Sequence, residues 1–257
     1  MTFGFGSGLG RFFWLAAEAA EKAGEEHAEA VHHGTYVFFK VFGIEVTSEV
    51  TTMWAIMLIM ILFAWWGTRR LEKVPRGAQN VLEMVIEGII DGILAPVMGK
   101  HKARKYFPLL GTLFIFILIS NYSGLLPGAG FLPGFKPPTG TLGGTLGLAT
   151  VVFLATHLAG MQENGVLKYL KHFFEPYVFF FPLNVLEALV KPISLSLRLY
   201  GNIFGEETLL AVILFQIFAA FAPIPIMGLS LIFGAVQAYI FTMLASVYIA
   251  QATEGGH

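Results

Sequence analysis

The chain contains no cysteine, which excludes disulfides, thiol chemistry and cysteine-ligated metals. Charge is scarce too. Asp, Glu, Lys and Arg make up 13% of the residues, against about a quarter in an ordinary soluble domain. Residues 208 to 253, a run of 46, hold none of the four. The pattern GxxxxGK[ST] is absent, so no P-loop is present to cradle a nucleoside triphosphate. No internal repeat occurs, which removes a usual sequence mark of a secondary transporter. The first twenty residues, MTFGFGSGLGRFFWLAAEAA, carry one Arg and a short apolar patch and are read as uncleaved.

What the chain has instead is apolar surface. Of its 257 residues, 56% are hydrophobic and 25 are Phe. A spanning helix needs roughly 20 residues, so the uncharged run is too long for one crossing and fits a hairpin of two. These observations predict an all-α polytopic membrane protein. The net charge of −1 says little about partners, because such charges are sorted by side of the membrane.

The organisation follows from the charges. Residues 11 to 33 read as an amphipathic surface segment with Glu18, Glu21, Glu25, Glu26 and Glu29 beside His27, His32 and His33. The histidines lack a clean i, i+4 pair, so this reads as a solvated acidic face rather than a metal site. The N-terminal segment is taken as 1–49 and a single membrane domain as 50–257. Spans are expected at 50–66, 107–126 and 142–160, with a Pro/Gly loop over 127–140. Between the first two, residues 77–98 place Glu83, Glu87 and Asp91 on one stripe opposite Val81, Val85, Ile86, Ile89, Ile90 and Ile93. Such a helix lies in the interface or docks a partner, and Pro96 is expected to end it. The basic clusters 69–76, 100–105 and 168–171 then share one side, which is the cytoplasm by the positive-inside rule. The N-terminus falls outside. Two further crossings, over 183–221 and 226–251, return the C-terminus to the cytoplasm. That makes about five crossings.

The stretch 183–221 is awkward. As a helix it is about 58 Å long, against a hydrocarbon core of about 30 Å. It either breaks, with Pro192 as the natural kink, or lies strongly inclined. Projected at about 100° per residue, Glu187, Lys191, Ser194, Arg198, Asn202 and Glu206 form one polar stripe, and Glu207 lies on the opposite face. Arg198 has no carboxylate within two turns along that stripe. A charge at the bilayer centre costs about 2.5–3.5 kcal/mol on insertion scales. The other expected spans hold no acid in their apolar interiors, so the partner implied for Arg198 is a carboxylate on another subunit. Arginine stays protonated in proteins, so it acts as a fixed positive charge. On the last helix Ser230, Gln237 and Tyr248 share a stripe, beside small residues that let helices approach closely. Gln237 is within reach of Arg198 or Asn202.

KPISLSLRLYGNIFGEE at 191–207, followed by QAYIFTMLASVYIAQA, resembles subunit a of the F-type ATP synthases. SNYSGLLPG at 120–128 and VPRGAQNVLEMVIEGI at 74–89 are similar to that family as well, so the likeness covers most of the chain from about residue 50. The resemblance implies a proton-translocating stator subunit with two aqueous half-channels, facing a ring of c proteolipid subunits. It implies peripheral-stalk b subunits and other ATP synthase subunits as partners, in the lipid bilayer of a bacterial inner membrane. It implies no nucleic acid, cofactor or resident metal, and no catalytic site of its own.

By the same resemblance the essential arginine falls on Arg198, the asparagine on Asn202, the half-channel glutamate on Glu207 and the glutamine on Gln237. One position departs from the family. Where some bacterial members carry a histidine that pairs with the glutamate, this chain has Ser230. Glu207 must then serve with water or with Glu206. His157, in the third span, is a further titratable group, read first as a packed or interfacial histidine. Two other readings stay open at this point, a self-contained secondary transporter and an assembly scaffold whose arginine only fixes subunit contacts.

Overall fold

A computed structural model describes residues 37–41, 44–69, 77–125, 137–172, 179, 181–216 and 223–254. The acidic and histidine-rich stretch 11–33 lies outside the described residues. By its contacts the chain divides into two units, Met1–Ser48 and Glu49–His257.

In the first unit, β1 (Val37–Val41) and β2 (Ile44–Thr47) pair antiparallel, with Val41 opposite Ile44 and Lys40 opposite Glu45. This hairpin was not foreseen. The β-branched and aromatic run VFFKV suits a strand, but it is too short to separate from a helix by periodicity alone.

The second unit is helical. Its elements are α1 (Ser48–Thr68), α2 (Ala78–Ile89), a π-helical turn (Ile90–Leu94), α3 (Ala95–Ser123), α4 (Leu142–Asn164), the short α5 (Val166–His172), α6 (Phe181–Gln216) and α7 (Pro223–Thr253). Among the described residues three helical stretches, Ser48–Thr68, Leu142–Asn164 and Met227–Thr253, are long and apolar enough to cross a membrane. Trp54, Leu58, Ile61, Leu62, Trp65 and Trp66 of α1 stand exposed, the surface expected of a helix solvated by lipid rather than water.

The core lies where α3, α4, α6 and α7 meet. Leu110, Ile117, Leu195, Leu199, Phe241, Ala245 and Ile249 are fully or almost fully buried there. Lipid tails are as apolar as leucine, so hydrophobicity alone does not drive such helices together. Close approach and interhelical hydrogen bonds do. A methyl group added at Gly234 on α7 would meet Asn121 Cβ at 3.3 Å and Tyr122 Cε1 at 3.4 Å on α3. At the same crossing Asn121 Nδ2 donates to the Gly234 carbonyl (3.0 Å) and Tyr122 Oη to that of Leu231 (3.2 Å). The far end of α7 is tied as well. Lys102 donates to Thr253 Oγ1 (3.1 Å), Asn164 to the Ala252 carbonyl (3.0 Å), and Lys105 pairs with Glu163. Glu163 holds the Lys105 ammonium above its ordinary range.

Two boundaries differ from expectation. The amphipathic helix does not end at Pro96, which sits in the first turn of α3, where a missing N–H costs nothing. The break comes at Gly99, with φ 76° and ψ 156°, a conformation that side-chain-bearing residues rarely adopt. Nor does Pro192 divide α6. The helix runs through it for 36 residues, about 54 Å. Fitting that length within a core of about 30 Å would take a tilt of about 56°; the break expected at Pro192 does not occur.

Candidate functional site

The site is built on α6 and α7. Leu195, Ser196, Leu199 and Ile203 form the buried face of α6. At its centre Ser196 Oγ donates to Thr145 Oγ1 of α4 across 3.0 Å, both residues being fully buried. This bond fixes the helix two residues before Arg198. Arg198 points off the edge of that face and is exposed. Among the described residues no carboxylate pairs with it. Its stripe neighbours Glu187 and Lys191 pair with each other instead, at 2.9 Å.

Two amide nitrogens, one on α6 and one on α7, have no hydrogen-bond partner. Asn202 is half-buried and Gln237 nearly fully buried, and neither Asn202 Nδ2 nor Gln237 Nε2 finds an acceptor. The expected bond from Gln237 to Arg198 or Asn202 is therefore not made.

Glu206 is half-buried and lies close to the hydroxyl of the buried Ser230 of α7. Glu207 follows it on α6, and its side chain lies outside the described residues. His157 belongs to a different neighbourhood. It lines a cavity of about 420 Å³ with Tyr169, Glu187, Lys191 and Tyr248. Along α7, Tyr248 is eighteen residues from Ser230, about 27 Å of helix. His157 thus does not stand in for the missing histidine beside Glu206.

Along the axis of α6 the arrangement is an ordered line. Glu187 lies about 16 Å before Arg198 and Glu206 about 12 Å after it. One end of the line adjoins the α3–α7 crossing at Asn121 and Tyr122. The other lines a cavity with Tyr248 and Ala252 of α7. Sequence reasoning missed Thr145, Asn164, Glu163 and Thr253, whose roles come from contacts far apart in the chain.

Residues 50–250 match the ATP synthase A chain family. The chain belongs to that family. ATP synthase subunit a of Moorella thermoacetica is 44% identical over 217 residues, covering 84% of this chain and 95% of that protein. ATP synthase subunit a 1 of Syntrophotalea carbinolica is 39% identical over 248 residues, covering 95% and 96%. For subunit a 1 of Pelobacter propionicus the figures are 38% over 208 residues, 79% and 86%. Membership in the ATP synthase A chain family makes this a membrane protein of ATP synthesis and proton transport, assembled with other ATP synthase subunits. Its apolar helices are in keeping with a bacterial membrane.

Proposed function

We propose that this chain is the proton-translocating stator subunit of a rotary F-type ATP synthase, with Arg198 facing the c-ring. One observation carries the reading. Arg198 is an exposed, unpaired guanidinium at the middle of a 36-residue helix, between one polar cluster at Glu206 and another at Glu187.

Two aqueous half-channels end near that cation from opposite sides. Glu207 and Glu206, with Ser230, serve the outer one. A proton arriving there passes to a carboxylate on the rotor and neutralises it, so the carboxylate can turn into the lipid. On return it meets Arg198, which favours the ionised form and releases the proton to the other half-channel. Because the guanidinium keeps its own protons, it also bars a direct leak between the two. The N-terminus lies outside and the C-terminus in the cytoplasm, as the basic clusters direct. The acidic stripe Glu83, Glu87 and Asp91 of α2 and the following turn receives the peripheral-stalk b subunits, by analogy with the family.

Arg198→Ala tests this. Assembled complex with ATP-driven proton pumping abolished supports the stator reading. Loss of assembly with normal pumping by the surviving complexes would point to a scaffold. Proton transport by the purified chain alone in liposomes would point to a self-contained transporter.

A further inference from the structure

We propose that the start of α3 holds the phosphate of an anionic phospholipid, with the Arg104 guanidinium as its clamp and the outer face of α3 as the seat of an acyl chain. The inference is independent of the stator reading.

The depth of this site follows from three helices. α4 and α7 contain two of the stretches able to cross a membrane, and those stretches end at Asn164 and Thr253. Both ends meet the start of α3. Lys102 donates to Thr253 Oγ1 and Lys105 pairs with Glu163, while Asn164 ties α4 to the Ala252 carbonyl. Residues 100–105 therefore stand at the level where those crossings reach water, which is the layer of lipid headgroups. Tyr106 is half-buried there, with the Lys105 ammonium 5.4 Å over its ring, and an amphipathic ring suits the same layer.

The cations at this level differ. Lys100 pairs with Asp91 at 3.5 Å, and Lys105 with Glu163. Lys102 is held by Thr253. Arg104 is exposed, and among the described residues no carboxylate pairs with it. A guanidinium presents parallel N–H donors that match two phosphate oxygens, which an ammonium does not. The backbone adds an acceptor. Pro108 sits inside α3 and has no N–H to give the Arg104 carbonyl, four residues before it. That oxygen lacks its usual helical donor and suits a headgroup hydroxyl, such as phosphatidylglycerol carries.

The same face continues as a lipid surface. At about 100° per residue, Pro108, Thr112 and Ile115 lie within about 80° of Arg104. Pro108 and Thr112 are exposed and Ile115 is half-buried. The Thr112 hydroxyl donates to the Pro108 carbonyl, so it is satisfied within its own helix. Phe107 covers Gly111, where a methyl group would come within 2.6 Å of the ring. The strip below the cation is thus apolar. From Arg104 to Ile115 it runs about 16 Å along the axis, about half the thickness of the hydrocarbon core, which is the reach of one acyl chain.

The experiment reconstitutes the whole ATP synthase in phosphatidylcholine vesicles doped with photoactivatable phosphatidylglycerol, and in parallel with the same photoactivatable group on phosphatidylcholine. Labelling is read on the α3 peptide. The native complex should favour the phosphatidylglycerol probe. Arg104→Gln should cut that labelling about fivefold, the attraction that one interfacial cation has for an anionic lipid. Arg104→Lys keeps the charge without the fork and should also fall. Lys168→Gln, at an exposed position on α5, should stay native. Equal labelling of the native complex by the two probes overturns the proposal. So does native labelling of Arg104→Lys, or a fall in Lys168→Gln as large as in Arg104→Gln, because the attraction is then a diffuse field of charge. Competition by inorganic phosphate overturns it by showing a site for a free anion. Loss of another ATP synthase subunit from the Arg104→Gln complex overturns it by showing that protein covers this face. If Arg104→Gln fails to assemble, the Arg104→Lys result decides.

Discussion

Replacing Arg198 by lysine keeps a cation at the site but makes it one that can lose its charge. Two unit charges about 4 Å apart attract by about 4 kcal/mol at an effective dielectric constant of about 20. At about 1.36 kcal/mol per pKa unit, that lowers a partner carboxylate by about three units. In-chain acids offer much less. Glu206 is at least about 12 Å away along the helix, where the same expression gives about 1.4 kcal/mol. On the proposed stator reading the passing carboxylate therefore wins the arginine, and the arginine decides whether that carboxylate ionises. A lysine supplies the same attraction only while protonated, and burial against apolar surface lowers a lysine pKa by up to about 3–5 units. The expected result is a crossing of behaviours. Arg198→Lys should pump at acidic pH and fade as pH rises, as its ammonium is lost. Arg198→Ala should be inactive throughout. The assay is ATP-driven fluorescence quenching of a pH-sensitive dye in inverted vesicles, with assembly checked on native gels. A lysine variant whose pH profile parallels the native one, or an alanine variant pumping within about tenfold of native, refutes the electrostatic argument.

Other perturbations probe the supports. Glu207→Gln should strongly reduce ATP-driven pumping, and unchanged pumping would move proton uptake to Glu206. Ser196→Ala removes the bond to Thr145 and should cost about 1 kcal/mol, read as a lower thermal midpoint of the purified complex. A midpoint equal to native means the bond does not hold α6. Glu163 raises the Lys105 pKa above its ordinary 10.5. The pair's contribution is thus complete below that ordinary value and is lost only as pH rises through the raised one. Lys105→Gln should accordingly shift the midpoint by the same amount at pH 6 and pH 9. A difference between the two would show that another group controls the contact.

The sequence carried the helices and the placement of Arg198, because period and charge spacing are local properties. The stripe from Glu187 to Glu206 could be drawn at 100° per residue, and the structure keeps it along the edge of the buried face of α6. Pro96 misled because a proline in the first turn of a helix satisfies the same rule as one that ends it. The true break, Gly99, carries no pattern beyond being a glycine. Glu206 and Ser230 could each be named, but their contact depends on how α6 crosses α7. The grouping of His157 with Glu187 and Lys191 likewise needs three helices in register, and no spacing along the chain encodes that. The Ser196–Thr145 bond joins residues 51 apart, and the Lys102–Thr253 bond joins residues 151 apart.

The ties at the end of α7 have a mechanical meaning. On the proposed stator reading, a subunit pressed against a turning ring takes a sideways push each time a carboxylate is captured and released. α6 and α7 receive that push, and both are long levers. Lys102 and Asn164 grip α7 over its final turn, while Asn121 and Tyr122 grip it near its start. A lever clamped at both ends bends little at its middle, where Gln237 sits. On that reading the load passes from α7 into α3, which packs against it, and on to the π-helical turn that follows α2.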